Sequence, residues 1–149
     1  MVQLLQFLSM MTVVTKENIE NYIPHRPPFV MIDNLLSVSQ ERFESDFKIG
    51  PENLFLKDDF FQEGGLIENI AQTCAAAFGF LDSAQGAEPK IGFIGAISRL
   101  ELHELPPLYS KIRTEVMPTH QLGNIVLVTG RNYFEGRLLL ECEMKIVIT

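Results

Sequence analysis

The sequence predicts an α+β fold in which an antiparallel sheet curls round one long central helix. Three observations lead there. One stretch, Gly64 to Ser83, repeats apolar residues at helical spacing and is apolar on nearly every face, so it is buried nearly all round. Two β-rich segments precede it and four follow. Two strands, one helix and four strands in that order are not a βαβ repeat, which leaves an antiparallel sheet. The length of 149 residues fits a single domain over 1–149, long enough to bury a core without disulfides or metals.

The elements follow in chain order. Residues 1–14 read as a loose N-terminal extension, since Met10 and Met11 offer later starts. Thr15 to Ile23 reads as a short helix, capped by Thr15 and stopped by Pro24. Phe29 to Ser39, rich in branched residues and preceded by Pro27 and Pro28, reads as a strand. Arg42 to Ile49 places Phe43, Phe47 and Ile49 on one side at period two, a half-buried strand paired with the previous one. In the helix, Leu66, Ile67, Ile70, Ala71, Cys74, Phe78 and Leu81 carry the apolar spacing, and Glu68, Asn69, Gln72 and Thr73 bring polar groups into its first half. After a loop over Gln85 to Pro89 come four strands, Lys90–Leu102, Lys111–Pro118, Asn124–Phe134 and Arg137–Ile148, the last two joined by a Glu135-Gly136 turn of the kind that needs glycine. The hotdog architecture is this arrangement.

Charge and composition exclude several functions. Twelve basic against nineteen acidic side chains give a net charge of −7, which argues against nucleic acid and against an anionic membrane surface as partners. No stretch is long and apolar enough to span a bilayer, and Met1 to Met11 lacks the basic residues and the cleavage site of a signal peptide. Cys74 and Cys142 form neither metal spacing nor a disulfide framework, so a reducing cytoplasm is expected and no metal. Both cysteines read as core residues.

Two motifs carry a family resemblance. Pro24-His25-Arg26-Pro27-Pro28-Phe29, followed by Val30-Met31-Ile32-Asp33, resembles the PHRxPFLLVD opening of FabZ-type 3-hydroxyacyl-acyl-carrier-protein dehydratases. Leu66 to Thr73 (LIENIAQT) resembles their central-helix motif, in which a glutamate leads an EAxAQ run. Ile91 to Ala96 and the closing hairpin from Tyr133 to Ile148 match the family's later strands in place and pattern, so the resemblance covers the chain from about Ile19 onward. It implies a hotdog dimer with an acyl tunnel at the interface. The substrate is a 3-hydroxyacyl thioester carried on phosphopantetheine, the product its 2-enoyl form, and no cofactor takes part. The partners implied are an acyl-carrier protein or acyl-CoA and a second dehydratase subunit, identical or related.

One family residue is absent. The resemblance places a histidine in a GHFPG loop before the helix, where it removes the proton next to the thioester carbonyl. Here the loop reads Lys57 to Gly65 (KDDFFQEGG), and the histidine position falls near Phe60. No histidine occurs between His25 and His103. Phenylalanine cannot act as a base, so Asp58, Asp59, His25, His103 and His120 are the substitutes the chain offers. His25 itself reads as a structural, hydrogen-bonded member of the opening motif.

The site residues expected are catalytic Glu68 and substrate-binding Phe60, Gly64, Gly65 and Gln72. A carboxylate on a buried helix needs a partner or a proton-transfer role, although a first-turn acid also suits the helix dipole. Gln72, one turn on, either orients Glu68, touches substrate, or satisfies a nearby backbone group. Gly64 and Gly65 offer N–H groups to an oxyanion, or serve as a tight turn. Where the family often has a basic pair, this chain has His103-Glu104, leaving Arg99, Lys111 and Arg113 as the cations available to a carrier protein.

Three activities are open on these residues. A dehydratase-like lyase rests on the two motifs and Glu68. A hotdog thioesterase rests on Glu63-Gly64-Gly65, similar to that group's HGG opening, but its helix carboxylate would fall at Gln72, which cannot act as base or nucleophile. A non-catalytic partner would lend Glu68 to a site whose histidine another subunit supplies, a setting known for some bacterial pigment and polyene pathways as a class.

Overall fold

Every other element is arranged around the central helix, α1 (Glu63–Ala84). The computed structural model describes residues 12–88 and 90–149, and most of the expected N-terminal extension lies outside them. The strands are β1 (Asn34–Val38), β2 (Phe43–Lys48), β3 (Leu56–Lys57), β4 (Phe60–Phe61), β5 (Gly92–Leu102), β6 (Lys111–Leu122), β7 (Ile125–Phe134) and β8 (Arg137–Ile148). Among the described residues six of them form one sheet in the order β1-β2-β6-β7-β8-β5, every neighbouring pair antiparallel, and β3 and β4 form a separate hairpin. The sheet curls round α1 as the sequence predicts, and the hotdog fold is the result.

Period-two burial turns one face of β6, β7 and β8 onto the helix. Ile112, Thr114 and Val116 of β6, Val126, Val128 and Asn132 of β7, and Leu140, Cys142, Met144 and Ile146 of β8 are buried. They close over Leu66, Ile70, Ala76 and Ala77 of α1, which have no exposed surface. Helix and sheet approach so closely that a Cβ at Gly130 would overlap the Ile70 side chain, and the segment ahead of the sheet lies as near the helix, since a Cβ at Gly79 would overlap the Tyr22 carbonyl oxygen.

The core is not wholly apolar. Thr114 and Asn132 point inward and meet Asn69 of α1. The Thr114 hydroxyl donates to Asn69 Oδ1, Asn132 Nδ2 donates to the same oxygen at 3.0 Å, and Asn69 Nδ2 donates to the Met31 carbonyl at 2.7 Å. One turn on, the Thr73 hydroxyl lies 2.6 Å from that of Ser45 on β2 and bonds back to the Asn69 carbonyl. Asn69, Thr73, Thr114 and Ser45 thus meet one another's polar groups, as burial demands, while Asn132 Oδ1 is left without a partner among the described residues.

Several boundaries differ from the sequence expectation. Thr15 to Ile23 holds only a 3₁₀ turn, Ile19–Asn21, with no capping side-chain bond. So short a segment cannot sustain an α-helix, and Ile19 and Ile23 are held by burial instead. Val13 and Val14 are not loose, because their backbone pairs with Leu35 and caps the outer edge of β1. β1 starts at Asn34, not Phe29, because the backbone from Phe29 to Met31 bonds to side chains of α1 rather than to a strand. β2 is buried on both faces. Glu44 and Asp46 on its outer side are covered by Arg42, Arg113 and Lys111, which pair with them. β6 runs past Pro118 to Leu122, the proline sitting at a register shift where a missing N–H is tolerated.

Two turns share one device. Glu135 and Gly136 both have positive φ (51° and 76°), the two-residue hairpin the sequence predicts. The β3–β4 hairpin, absent from the sequence expectation, turns in the same way through Asp58 and Asp59 (52° and 64°). Aspartate tolerates that region but signals it less plainly than glycine.

Candidate active site

Among the described residues Glu68 lies on a face of α1 that the sheet leaves uncovered. With Ala71, Ala75 and Phe78, spaced at three and four residues, it lines a cleft of about 310 Å³. The opposite wall is the start of β5 (Gly92 to Ile94) and the end of β8 (Ile146, Ile148). His25 closes the end nearest Glu68, and its Nε2 is 3.6 Å from Glu68 Oε1. Both side chains are about one-quarter to one-third exposed, so a bound molecule can reach them.

Gln72 holds the pair in place. It is fully buried behind Glu68 and does not line the cleft. Its Nε2 donates to Glu68 Oε1 at 3.1 Å and to the Phe29 carbonyl at 2.7 Å, and its Oε1 accepts from Met31 N at 2.7 Å. Both amide protons are thus committed. Of the roles open to Gln72, the geometry selects orienting Glu68 and satisfying the backbone, not substrate contact. The same bonds tie the His25–Met31 segment to α1, which brings His25 to Glu68 across 43 residues of sequence.

Burial pushes the His25 imidazole below its ordinary range; the negative charge of Glu68 opposes this and Arg26 adds to it. Nδ1 is buried with no hydrogen-bond partner among the described residues. A histidine whose folded-state value is lowered binds fewer protons folded than unfolded. Stability is therefore expected to fall as pH drops below about 6.5 toward the lowered value. Urea midpoints measured from pH 7.5 down to 5 should show this slope, and His25→Gln should flatten it. An identical slope in the variant would assign the effect to another group.

The other expected site residues sit elsewhere in the chain. Gly64 is exposed on the first turn of α1, and Gly65 is buried against Phe61 and Phe55, where a Cβ would overlap the Phe61 ring. The Gly65 N–H donates to the Gln62 carbonyl at 3.0 Å, so within one chain it serves a tight turn. Phe60 is exposed on β4, bridged to Pro107. None of the three lines the cleft, and neither do Asp58 and Asp59 on the exposed hairpin turn. His103 lies near Glu101, and His120 is exposed at the far end of β6. Of the substitute bases the sequence offers, His25 is the one beside Glu68. The spacing of the motifs gave no sign of this pairing, because Gln72 makes it through backbone groups.

Cys74 lines the cleft, but burial pushes its thiol up to about 12, and that of Cys142 up to about 11, so both are protonated. The rim cations are already engaged: Arg99 with Glu143, Lys111 with Asp46, Arg113 with Glu44. Glu101, His103 and Glu141 bring ligand-type atoms within 4.8 Å of one another on the surface, where Arg131 already pairs with Glu141 at 3.0 Å. Among the described residues no helix is long and apolar enough to cross a membrane.

Comparison with known proteins agrees with the motifs. The chain is 27% identical over 145 residues to the 3-hydroxyacyl-[acyl-carrier-protein] dehydratase FabZ of Halalkalibacterium halodurans, covering 91% of this chain and 99% of that one. It is 23% identical over 141 residues to FabZ of Campylobacter lari, covering 87% and 94%. In structure it is similar to a chain of the dehydratase heterocomplex ApeI:P from Xenorhabdus doucetiae, with a TM-score of 0.82, 15% identity, and 88% and 90% of the two chains covered. A hypothetical thioesterase from Streptococcus pneumoniae, solved with coenzyme A, shares the fold at a TM-score of 0.62 and 11% identity, over 77% and 84% of the chains. The family model that describes the ApeP dehydratase matches residues 17–124, from the opening motif through the helix to the β6–β7 turn, and the chain belongs to this ApeP-like dehydratase family, related to FabZ.

Proposed function

We propose that the chain dehydrates a 3-hydroxyacyl thioester held on the phosphopantetheine arm of an acyl-carrier protein. The observation that supports it is the Glu68–His25 pair at the end of an apolar cleft. Burial keeps His25 neutral, so its Nε2 can accept the proton from C2. As the C2–C3 double bond forms, the C3–O bond breaks, and the proton passes from His25 by way of the Glu68 carboxylate to the departing hydroxyl. Water leaves and the 2-enoyl thioester remains. Neutral His25 and the Glu68 carboxylate are then restored. Gln72 fixes the carboxylate so that this geometry needs no rearrangement.

A second reading is favoured by β5. Among the described residues its outer edge pairs with no strand, and Phe93, Ile94, Ile97, Leu100 and Leu102 along it are exposed. An unpaired apolar edge of that length calls for a cover. The ApeI:P structure is a heterocomplex of dehydratases. A second subunit across β5, identical or related, would lie against the cleft, and a related one could bring the histidine missing near Phe60.

Mass spectrometry of a 3-hydroxyacyl-carrier protein tests both. Loss of water with the pure chain supports the Glu68–His25 mechanism. Loss of water only after a histidine-bearing dehydratase is added supports the partner role. Loss of the whole acyl group instead would overturn both in favour of a thioesterase.

A further inference from the structure

A second cavity, of about 290 Å³, lies beyond the cleft. It opens between the end of α1, the β1–β2 turn and β6, and is lined by Phe43, Leu81, Pro118 and Val126 together with the polar Ser39, Gln40, Thr119 and His120. Phe78 and Gln121 border both it and the Glu68 cleft. The Phe78 ring is braced edge-on against Phe43, with centroids 5.4 Å apart and planes at 82°. Phe78 is therefore a partition with space on either side.

We infer that this second cavity receives the distal end of long acyl chains, and that Phe78 sets the length the cleft accepts when it is closed. The inference rests on the acyl-thioester assignment made above. With the thioester end at Glu68, the chain runs along Ala71 and Ala75 and reaches Phe78 ten residues later, about 15 Å along the helix. That distance suits a chain of about decanoyl length. A longer chain has two ways on. Straight ahead stand Asp82 and Lys90, whose charged groups an apolar tail would have to desolvate. Sideways, past Phe78, the lining holds no carboxylate, ammonium or guanidinium group, and burying methylenes against Phe43, Leu81, Pro118 and Val126 is favourable. The Phe78 ring is the obstacle on that path. Its only aromatic neighbour, among the described residues, is Phe43 on the far side, so a smaller side chain at 78 would join the two spaces.

Binding separates this from catalysis. Saturated hexanoyl, decanoyl, tetradecanoyl and hexadecanoyl phosphopantetheine cannot be dehydrated, and their affinities can be measured by calorimetry. The native chain should bind decanoyl best. Phe78→Ala should raise affinity for tetradecanoyl at least tenfold while leaving hexanoyl nearly unchanged. Leu81→Trp added to it should fill the second cavity and cancel the gain. Phe78→Leu should give a smaller gain, and Phe78→Trp should shorten the best chain; these two carry the test if Phe78→Ala does not fold. A gain equal at all lengths, or one that survives Leu81→Trp, overturns the partition alone. Failure of the folded native chain to bind any of the ladder overturns the acyl-thioester assignment with it.

Discussion

Glu68→Gln should lower the rate of water elimination by about 10²–10⁴-fold, the usual worth of a positioned acid or base. The change keeps size and planarity and removes only the carboxylate's ability to take up and pass on a proton. Gln72 Nε2 still finds an acceptor there, provided the new amide turns its oxygen inward. The backbone bonds from Gln72 to Phe29 and Met31 do not involve Glu68, so the segment bearing His25 stays docked. Stability should accordingly change by about 1 kcal/mol or less, the scale of one hydrogen bond. The readout is the initial rate of enoyl product by mass spectrometry, alone or with the added dehydratase, beside a thermal melt. A rate within a factor of three of the native one, in whichever setting turns over, would remove Glu68 from the chemistry. A collapsed melt would make it structural.

Asn69→Leu should be the most destabilising single change in the helix. Leucine shares the branching of asparagine and is a better helix former, so propensity does not oppose it, but its methyl groups are too large for hydrogen-bonding distances and add a packing cost. The main loss is polar. Asn69 is the common partner of Met31, Thr114 and Asn132, all fully buried. Asn132 keeps the Leu66 carbonyl and the Thr114 hydroxyl as acceptors, but the Met31 carbonyl loses its side-chain partner and the Thr114 hydroxyl loses its acceptor. Each buried group left unmet costs about 1–3 kcal/mol, so a total of about 3–5 kcal/mol is expected. For a chain of this length that lowers Tm by on the order of 10 °C. Urea unfolding gives the free energy directly, and a loss under about 1 kcal/mol would mean that water replaces the amide.

The helix, the closing hairpin and the sheet class were legible because their signals are local. Apolar spacing marks α1 to within a residue at either end, and Glu135-Gly136 fixes its turn. The start of β1 was not legible, since the backbone of Phe29 to Met31 is satisfied by Gln72 and Asn69 from the helix, 38 to 43 positions away in sequence. Burial of β2 on both faces was hidden for a related reason: Glu44 and Asp46 look solvent-facing until Arg42, Arg113 and Lys111 are laid over them. At the site, Glu68 and Gln72 were readable from their one-turn spacing. His25 was not, because sequence alone carries no distance between a motif at the strand start and one on the helix. Phe60 and the two glycines were placed by motif position, yet within one chain they belong to the packing of the β3–β4 hairpin on the first turn of α1.

The Gln72 amide also determines how the molecule opens. One side chain joins Glu68, the Phe29 carbonyl and the Met31 amide, so the His25 segment cannot lift from α1 while those bonds last. Local opening and loss of the Glu68–His25 approach are then a single cooperative event, with one free energy. The Met31 amide hydrogen, fully buried and bonded only to that side chain, exchanges with solvent when the event occurs. Its protection is a direct gauge of the fraction of molecules in which Glu68 and His25 stand together.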